Sequence, residues 1–213
     1  MEIKELKHTP EATLRRLPRY LHLLNRLKDE GVNDVSSTTI ATEMGLDPTL
    51  VRKDIEYTEI KGKPKTGFNV TDLIREIREF LNWNNSTDAF LVGAGSLGTA
   101  MLGYAGFKKY GLNFLAAFDN DITKIGSTIH GVQVFPIAKL PELILRMHIN
   151  IGVLTVPAFV AQNVADLMVE GGIKAIWNFA PIQIKVPENI VVENAQLTQS
   201  LAVISRKLRE TLQ

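Results

Sequence analysis

Three glycines behind a short apolar run constrain this chain more than anything else in it. FLVGAGSLGTAMLGY, Phe90 to Tyr104, sets Gly93, Gly95 and Gly98 in the spacing G-x-G-x-x-G directly after residues that read as a buried strand. In a strand-to-helix turn of this kind the first glycine permits the tight turn and the second lets backbone approach a pyrophosphate. The third lets the helix pack close to the strand. The amides at the start of that helix, favoured by its dipole, would take the phosphates. NFLAAFD then ends a second strand in Asp119, 21 residues beyond Gly98, close to the spacing of the acid that binds an adenosine ribose. A carboxylate there favours NAD(H), because it would repel a 2′-phosphate.

Strand and helix patterns alternate around this turn. Residues 89–92, 114–118, 132–135, 151–156, 175–179 and 190–192 read as buried strands, with helical patterns at 96–110, 138–148 and 158–170. The alternation predicts an α/β fold with a parallel sheet covered by helices on both faces. LTQSLAVISRKLRETLQ closes the chain as a helix with Leu197, Leu201, Ile204, Leu208 and Leu212 on one stripe. No further strand follows for it to cover, so it needs a partner surface.

The first 85 residues have a different grammar. Leucines at 14, 17, 21, 24 and 27 mark one face of a helix, with Pro18 expected to end a first turn or kink it. In VSSTTIATEMGLDPTLVRKDIEYTEI, Ser36, Ser37 and Thr38 are N-cap candidates, and Gly45 follows a short helix. Asp47-Pro48 reopens a helix as N-cap and N1. Two short helices joined by a tight glycine-bearing turn form a helix-turn-helix, with residues 48–57 as the second helix. KGKPKTGFNV then reads as a wing, and residues 71–81 as a further amphipathic helix. The polar NWNNST, 82–87, suits a linker. The expected domains are 1–83 (winged helix), 84–195 (Rossmann-type sheet) and 196–213 (terminal helix). Arg52 and Lys53 lie mid-way along the second helix, where Arg can bond a guanine edge bidentately. Ser37, Thr49 and Tyr57 complete the DNA-facing set on the two helices, and Lys61, Lys63 and Lys65 on the wing would meet phosphate or the minor groove.

Charge and composition narrow the classes. Residues 1–85 hold 14 basic and 14 acidic groups, and residues 86–213 hold 10 and 9, so only local clustering can favour nucleic acid. Residues 48–66 carry five basic and three acidic groups. The chain has no cysteine, which excludes disulfides, thiolate metal sites and a thiol switch. No metal site is expected. No run approaches the roughly eighteen apolar residues of a membrane span, and the charged amino terminus is unlike a signal peptide. A cytoplasmic protein is expected. A dehydrogenase would need a proton donor or acceptor near the nicotinamide. The histidines at 8, 22, 130 and 148 do not fall at a strand's carboxyl end in the second half of the sheet. TVPAFVAQ and NFAPIQIKVP offer only Thr155, Gln162 and Asn178 as polar groups there. No catalytic residue is expected, so the pocket holds a nicotinamide without reacting with it.

At this point the chain resembles the redox-sensing transcriptional repressor family Rex, over nearly its whole length. The resemblance runs through RRLPRYLHLL, VSSTTIATEMGLDPTLVRKD, LVGAGSLGTAMLGYAGF, AAFDNDITKIG, TVPAFVAQ, GIKAIWNFAPI and VPENIVVENAQL, in that order and spacing. It implies an amino-terminal winged helix, a Rossmann domain for NAD(H), and a homodimer with swapped carboxy-terminal helices. Such repressors bind palindromic operator DNA when NAD+ dominates and release it when NADH accumulates. Carried over, Gly93, Ala94, Gly95, Ser96, Leu97 and Gly98 would hold the pyrophosphate and Asp119 the adenosine ribose. Thr155, Val156 and Pro157 would border the pyrophosphate and nicotinamide, and Asn178, Phe179, Ala180 and Pro181 would floor the nicotinamide region. Arg52 and Lys53 would be principal DNA contacts.

The chain departs from the family at chosen places. The family usually continues its recognition helix as RKDLSYFGEFGKRGVGY, where this chain has RKDIEYTEIKGKPKTGF. Glu56 stands for a serine, Glu59 for a glycine and Lys65 for a wing glycine, which is expected to alter operator sequence or affinity. The family also pairs an Arg after YL with a partner-subunit Asp after ENV. His22 and Gln196 occupy those places, so the ion pair is lost as a unit, and weaker or differently wired coupling is expected of a divergent paralogue. Leu197 and Leu201 are the expected dimer-side residues of the terminal helix. The competing readings are an NADH-dependent reductase, a CoA-binding module, and a nucleotide sensor whose winged helix serves only dimerisation.

Overall fold

A computed structural model of the chain describes residues 9–64, 66–195 and 197–212. Lys65 and Gln196, named above, lie outside the described residues. The chain divides into two compact units, Met1–Asn85 and Ser86–Gln213.

In the first unit, α1 (Glu11–Asp29) runs through Pro18 and does not end there. Proline removes one backbone bond, a cost of about 3 kcal/mol in a helix interior. Leu17 before it and Tyr20, Leu21 and Leu24 after it all enter one core. Each such burial is worth roughly 1.5–3 kcal/mol, so packing wins. Leu14, expected on the same stripe, is exposed instead. β1 (Asp34–Val35) leads into α2 (Ser37–Met44), where the Ser36 hydroxyl accepts the Thr39 N–H at 2.9 Å. Gly45 ends α2 with φ 64°, the left-handed backbone that glycine adopts without strain. In α3 (Pro48–Glu56), the Asp47 carboxylate accepts the amides of Thr49 (2.7 Å) and Leu50 (3.2 Å). These bonds, the one from Thr49 foremost, hold the Asp47 carboxyl below the usual carboxylate range.

The wing pairs differently from a simple hairpin. β2 (Phe68–Asn69) lies antiparallel to β1, ahead of α2, while the wing itself closes through a bridge between Lys63 and Gly67. Gly67, at φ 89°, passes so close to the Val35 carbonyl that no side chain would fit. α4 (Val70–Phe80) follows, and Trp83, beyond it, packs partly buried against the same core.

One polar cluster crosses that core. Asp54 of α3, 1% exposed, accepts Thr13 Oγ1 (2.8 Å), Tyr20 Oη (2.7 Å), Arg16 Nε (2.6 Å) and Arg16 Nη2 (2.7 Å), all from α1. Burial pushes this carboxyl up, but the bonds from Arg16, Tyr20 and Thr13 outweigh it and hold it below its ordinary range. Burial and the bond to Asp54 push the Tyr20 hydroxyl far up, so it remains a donor. A paired buried carboxylate of this kind orients α3 against α1.

In the second unit the strands are β3 (Thr87–Val92), β4 (Leu112–Asp119), β5 (Thr128–Ile129), β6 (Val132–Pro136), β7 (Ile151–Leu154), β8 (Ala175–Asn178) and β9 (Val191–Asn194). They form one sheet in the order β5-β6-β4-β3-β7-β8-β9. All neighbours are parallel except β5, a short strand that the apolar pattern did not signal, which pairs antiparallel with β6. The helices are α5 (Ser96–Gly103), α6 (Gly106–Lys109), α7 (Leu140–Met147) and α8 (Ala158–Glu170). Alternate residues of β3 face opposite layers. Phe90 and Val92 pack towards α7 and α8, and Leu91 towards α5. From β3 the chain winds outward through β4 to β6, then crosses back to β7 on the other side of β3. A sheet that reverses direction so opens a crevice at the carboxyl ends of β3 and β7. The final helix α9 (Leu197–Thr211) exposes every side chain described in it.

The Asp54 cluster sets a stability prediction. A carboxylate whose folded pKa is depressed adds stability above its unfolded pKa, near 3.9, and loses it as pH falls through the lower folded value. Urea midpoints of the chain should therefore drop steeply as the pH falls below about 4. Asp54→Asn should cost about 3 kcal/mol at pH 7 and flatten that acid limb; an unchanged limb would remove Asp54 as its source.

Candidate functional site

The crevice is built by three close approaches. Gly93, at φ 100°, turns the chain out of β3, and a Cβ there would strike the Thr155 carbonyl at 2.6 Å. A Cβ at Gly98 would run into the Gly93 carbonyl, so α5 packs directly on the turn. Thr155 closes the group: its N–H donates to the Val92 carbonyl (2.9 Å), and its hydroxyl proton lies between the carbonyls of Val92 (3.0 Å) and Gly93 (2.8 Å). Gly95 is different. A Cβ there would meet nothing of this chain within 4 Å, so the fold does not require glycine at that position. It faces outward at the N-cap of α5, and no side chain caps the helix. Free amides and the positive end of the helix dipole therefore meet at a place cleared for close approach. Ser96 and Leu97, on the first turn of α5, are exposed beside it, while Ala94 is buried.

Asp119 is placed under this turn. It is 7% exposed, and its Oδ2 accepts the Ala94 N–H at 2.9 Å while Oδ1 accepts the Asp121 N–H at 2.9 Å. Lys124, which the sequence reading passed over, reaches Oδ2 at 3.2 Å and Asp121 at 3.7 Å. Its signal was available as the one base of DNDITK, five residues past Asp119. Two carboxylates around one ammonium leave an uncompensated negative charge. The Thr123 hydroxyl, then its amide, hold the Asp121 carboxyl below the usual range.

The turns after β7 and β8 leave the sheet side by side, with Leu154 opposite Asn178 and the Phe179 N–H donating to the Leu154 carbonyl at 2.8 Å. Of the residues expected to border the crevice, Pro157 and Pro181 are exposed and Phe179 is half-buried. Val156, Asn178 and Ala180 are buried, so they shape the turns from beneath. The four histidines divide otherwise. His22 is exposed on α1, His130 sits in the turn between β5 and β6, His148 ends α7, and His8 lies outside the described residues. Among the described residues no group of three or more His, Asp or Glu could hold a metal, and no helix is long and apolar enough to cross a membrane.

In the first unit, α3 sorts its residues by period. Val51, Asp54 and Ile55 are buried, while Thr49, Arg52, Lys53 and Glu56, spaced three and four apart, share the exposed face. Arg52 and Lys53 join no ion pair among the described residues, so both are available to a partner. Tyr57 and Ser37 are half-buried at the end of α3 and the start of α2. Lys61 and Lys63 are exposed on the wing, and Glu59 takes φ 62°.

Comparison with known proteins gives the same division. A family described as putative DNA-binding protein N-terminus matches residues 8–55, and one described as CoA binding domain matches residues 84–182. The redox-sensing transcriptional repressor Rex of Treponema denticola is 46% identical over 90% of this chain and 91% of its own length. That of Bacteroides fragilis is 43% identical over 96% and 93%. Among solved structures, RSP in complex with β-NAD+ and operator DNA superposes with a TM-score of 0.91 at 35% identity, covering 96% of this chain and 94% of that one. RSP in complex with β-NADH gives 0.87 at 35% identity, covering 95% of each.

The glycines divide into two testable kinds. Gly98→Ala should cost about 1–3 kcal/mol of stability, through overpacking against the Gly93 carbonyl. Gly95→Ala should leave the urea midpoint within about 0.5 kcal/mol of the parent while weakening NADH binding, read by nucleotide fluorescence, roughly tenfold or more. Equal effects of the two substitutions on stability would contradict this division.

Proposed function

The chain belongs to the Rex family of redox-sensing transcriptional repressors, and we propose that it represses transcription in response to the NADH/NAD+ ratio. As a homodimer it binds operator DNA when coenzyme-free or with NAD+, and releases it with NADH. One observation carries this reading: a glycine crevice cleared at Gly95 shares a single chain with a recognition helix that exposes unpaired Arg52 and Lys53. The coenzyme supplies the signal, as a ring that is planar and cationic when oxidised, puckered and neutral when reduced. The turn Gly93 to Gly98 would hold the pyrophosphate through the amides at the start of α5, since the Gly93 and Ala94 amides are bound to the Phe118 carbonyl and to Asp119. Asp119 would fix the glycine turn through Ala94 and offer its remaining lone pairs to the ribose. The negative balance around Lys124 supports a ribose hydroxyl there over a phosphate. Thr155, Val156 and Pro157 would border the pyrophosphate and nicotinamide, and the Asn178–Pro181 turn would floor the nicotinamide. With neutral and apolar groups at the mouth, the crevice binds the ring without acid-base chemistry and favours its neutral form. No catalysis is assigned to the chain.

Arg52 would read a guanine edge and Lys53 guanine or phosphate, flanked by Ser37, Thr49 and Tyr57, with Lys61, Lys63 and Lys65 of the wing on phosphates or the minor groove. Glu56 shares the face of Arg52, and its charge near a phosphate opposes binding by Coulomb repulsion. This supports an operator preference of its own. A CoA-binding reading draws on the family matched at residues 84–182. The uncompensated charge beside Asp119 tells against it, since CoA carries a phosphate on that ribose. The reader of DNA works in the cytoplasm.

The stripe of Leu201, Ile204 and Leu208 on α9 is exposed, as is Leu212 just beyond it. Phe107, Trp177 and Phe179 lie half-buried on the α5 side of the sheet. A second copy would cover such surfaces, so removal of residues 196–213 should turn a dimer into a monomer by light scattering. For the function itself, mobility shifts against randomised palindromic duplexes should select a site. NADH should then weaken binding about tenfold or more, some 1.4 kcal/mol, while NAD+ leaves it intact. Binding indifferent to both nucleotides, or no binding to DNA, would sink the proposal; tighter uptake of CoA than of NADH would favour the rival.

A further inference from the structure

Asn178 ends β8 and is 1% exposed, and its side chain makes three hydrogen bonds. Its Oδ1 accepts the Ala180 N–H at 2.9 Å, and its Nδ2 donates to the Ile182 carbonyl at 2.8 Å. Those two bonds pin the turn proposed above to floor the nicotinamide. The second Nδ2 proton goes elsewhere, to Oδ1 of Asn194 at 2.8 Å, at the last residue of β9. The Asn178 carbonyl takes the Ala195 N–H at 2.8 Å as well. α9 begins at Leu197, three residues past Asn194.

Resting on the function proposed above, we propose that the Asn178–Asn194 amide pair is the positioning contact that passes the state of the nicotinamide floor to the root of α9. The chemistry of the amide makes it suitable. A carboxamide has two donors at a fixed angle and one acceptor, so one side chain can hold the turn and the strand together. A movement of the Ala180–Ile182 turn rotates that amide, and the bond to Asn194 must lengthen or follow. At the other end, β9 is an edge strand whose pairing with β8 is already supplied by backbone bonds. Asn194 is exposed, so its side-chain bond adds a constraint beyond what the sheet needs. The described side chains of α9 join no core of this chain, and the bonds of Asn194 and Ala195 to Asn178 lie at its root. Asn178 and Asn194 are uncharged across the working pH range, and the contact is independent of pH.

The test uses the full chain, NADH, and a duplex selected by the parent protein from randomised palindromes. Asn194→Ala removes the acceptor and leaves both bonds from Asn178 to its own turn. It should keep NADH affinity, coenzyme-free DNA affinity and the urea midpoint close to the parent's. The ratio of DNA affinity without NADH to that with NADH should fall several-fold towards one. Asn194→Asp keeps an oxygen for Asn178 Nδ2 and should retain the parent's ratio. A parent ratio in Asn194→Ala overturns the proposal, as does an Asp variant that loses the ratio as fully as Ala, or loss of NADH binding and coupling together in both variants. A parent protein with no NADH response would instead overturn the function on which the proposal rests.

Discussion

Backbone at the end of β3 lies against backbone at the end of β7, with no room for a side chain at either Gly93 or Gly98. Most of the second unit depends on that approach. It brings the start of α5 over the sheet's reversal point, where parallel strands leave a crevice. The Thr155 hydroxyl then ties the two strand ends through the carbonyls of Val92 and Gly93. Asp119 braces the turn from below through the Ala94 amide. Those contacts leave the free amides of α5 facing outward at Gly95, the glycine whose own fold contacts do not demand it. Glycines that the fold requires and one that it leaves free thus alternate within six residues.

The first unit solves a comparable problem with charge. A recognition helix must expose cations on one face while its other face is fixed, and a nine-residue helix has little apolar surface with which to do both. Val51 and Ile55 supply the packing, and Asp54 between them supplies direction through four bonds to α1. Arg16 neutralises Asp54 from α1, so Arg52 and Lys53 on the opposite face keep their full charge for a partner. Net neutrality of the first 85 residues is therefore compatible with DNA binding, because the charges are sorted by face. Glu56 is the exception to that sorting, an exposed carboxylate on the same face as Arg52.

The local signals were legible where one residue type had one physical reason. Ser36, Asp47-Pro48 and Gly45 marked helix ends through backbone bonds within three residues, and the structure uses each of them so. Near-continuous apolar runs marked central strands such as β3 and β7, because a strand buried on both faces leaves few alternatives. Residues 190–192 were read as buried too, but the edge strand β9 is mostly exposed. The readings that failed were those in which a distant contact outweighs a local preference. Pro18 was expected to interrupt α1, but a shared core on both sides of it carried the helix through. Leu14 fitted the stripe and yet is exposed, since periodicity cannot say where the partner surface stops. β5 has only two residues, too short for a period.

The candidate site divides along the same line. From the sequence alone came the glycine turn, the acid after the second strand, the exposed basic residues of the second helix and the family they compose, because each rests on spacing along one stretch of chain. Tertiary structure alone decided what those residues touch. It set Lys124 against Asp119, buried Asn178 beneath the turn it was expected to line, and paired it with Asn194, sixteen residues away. A hydrogen bond lost to water costs free energy wherever its partner comes from. The partner of a buried polar group is chosen by the packing of the sheet, which no local spacing records.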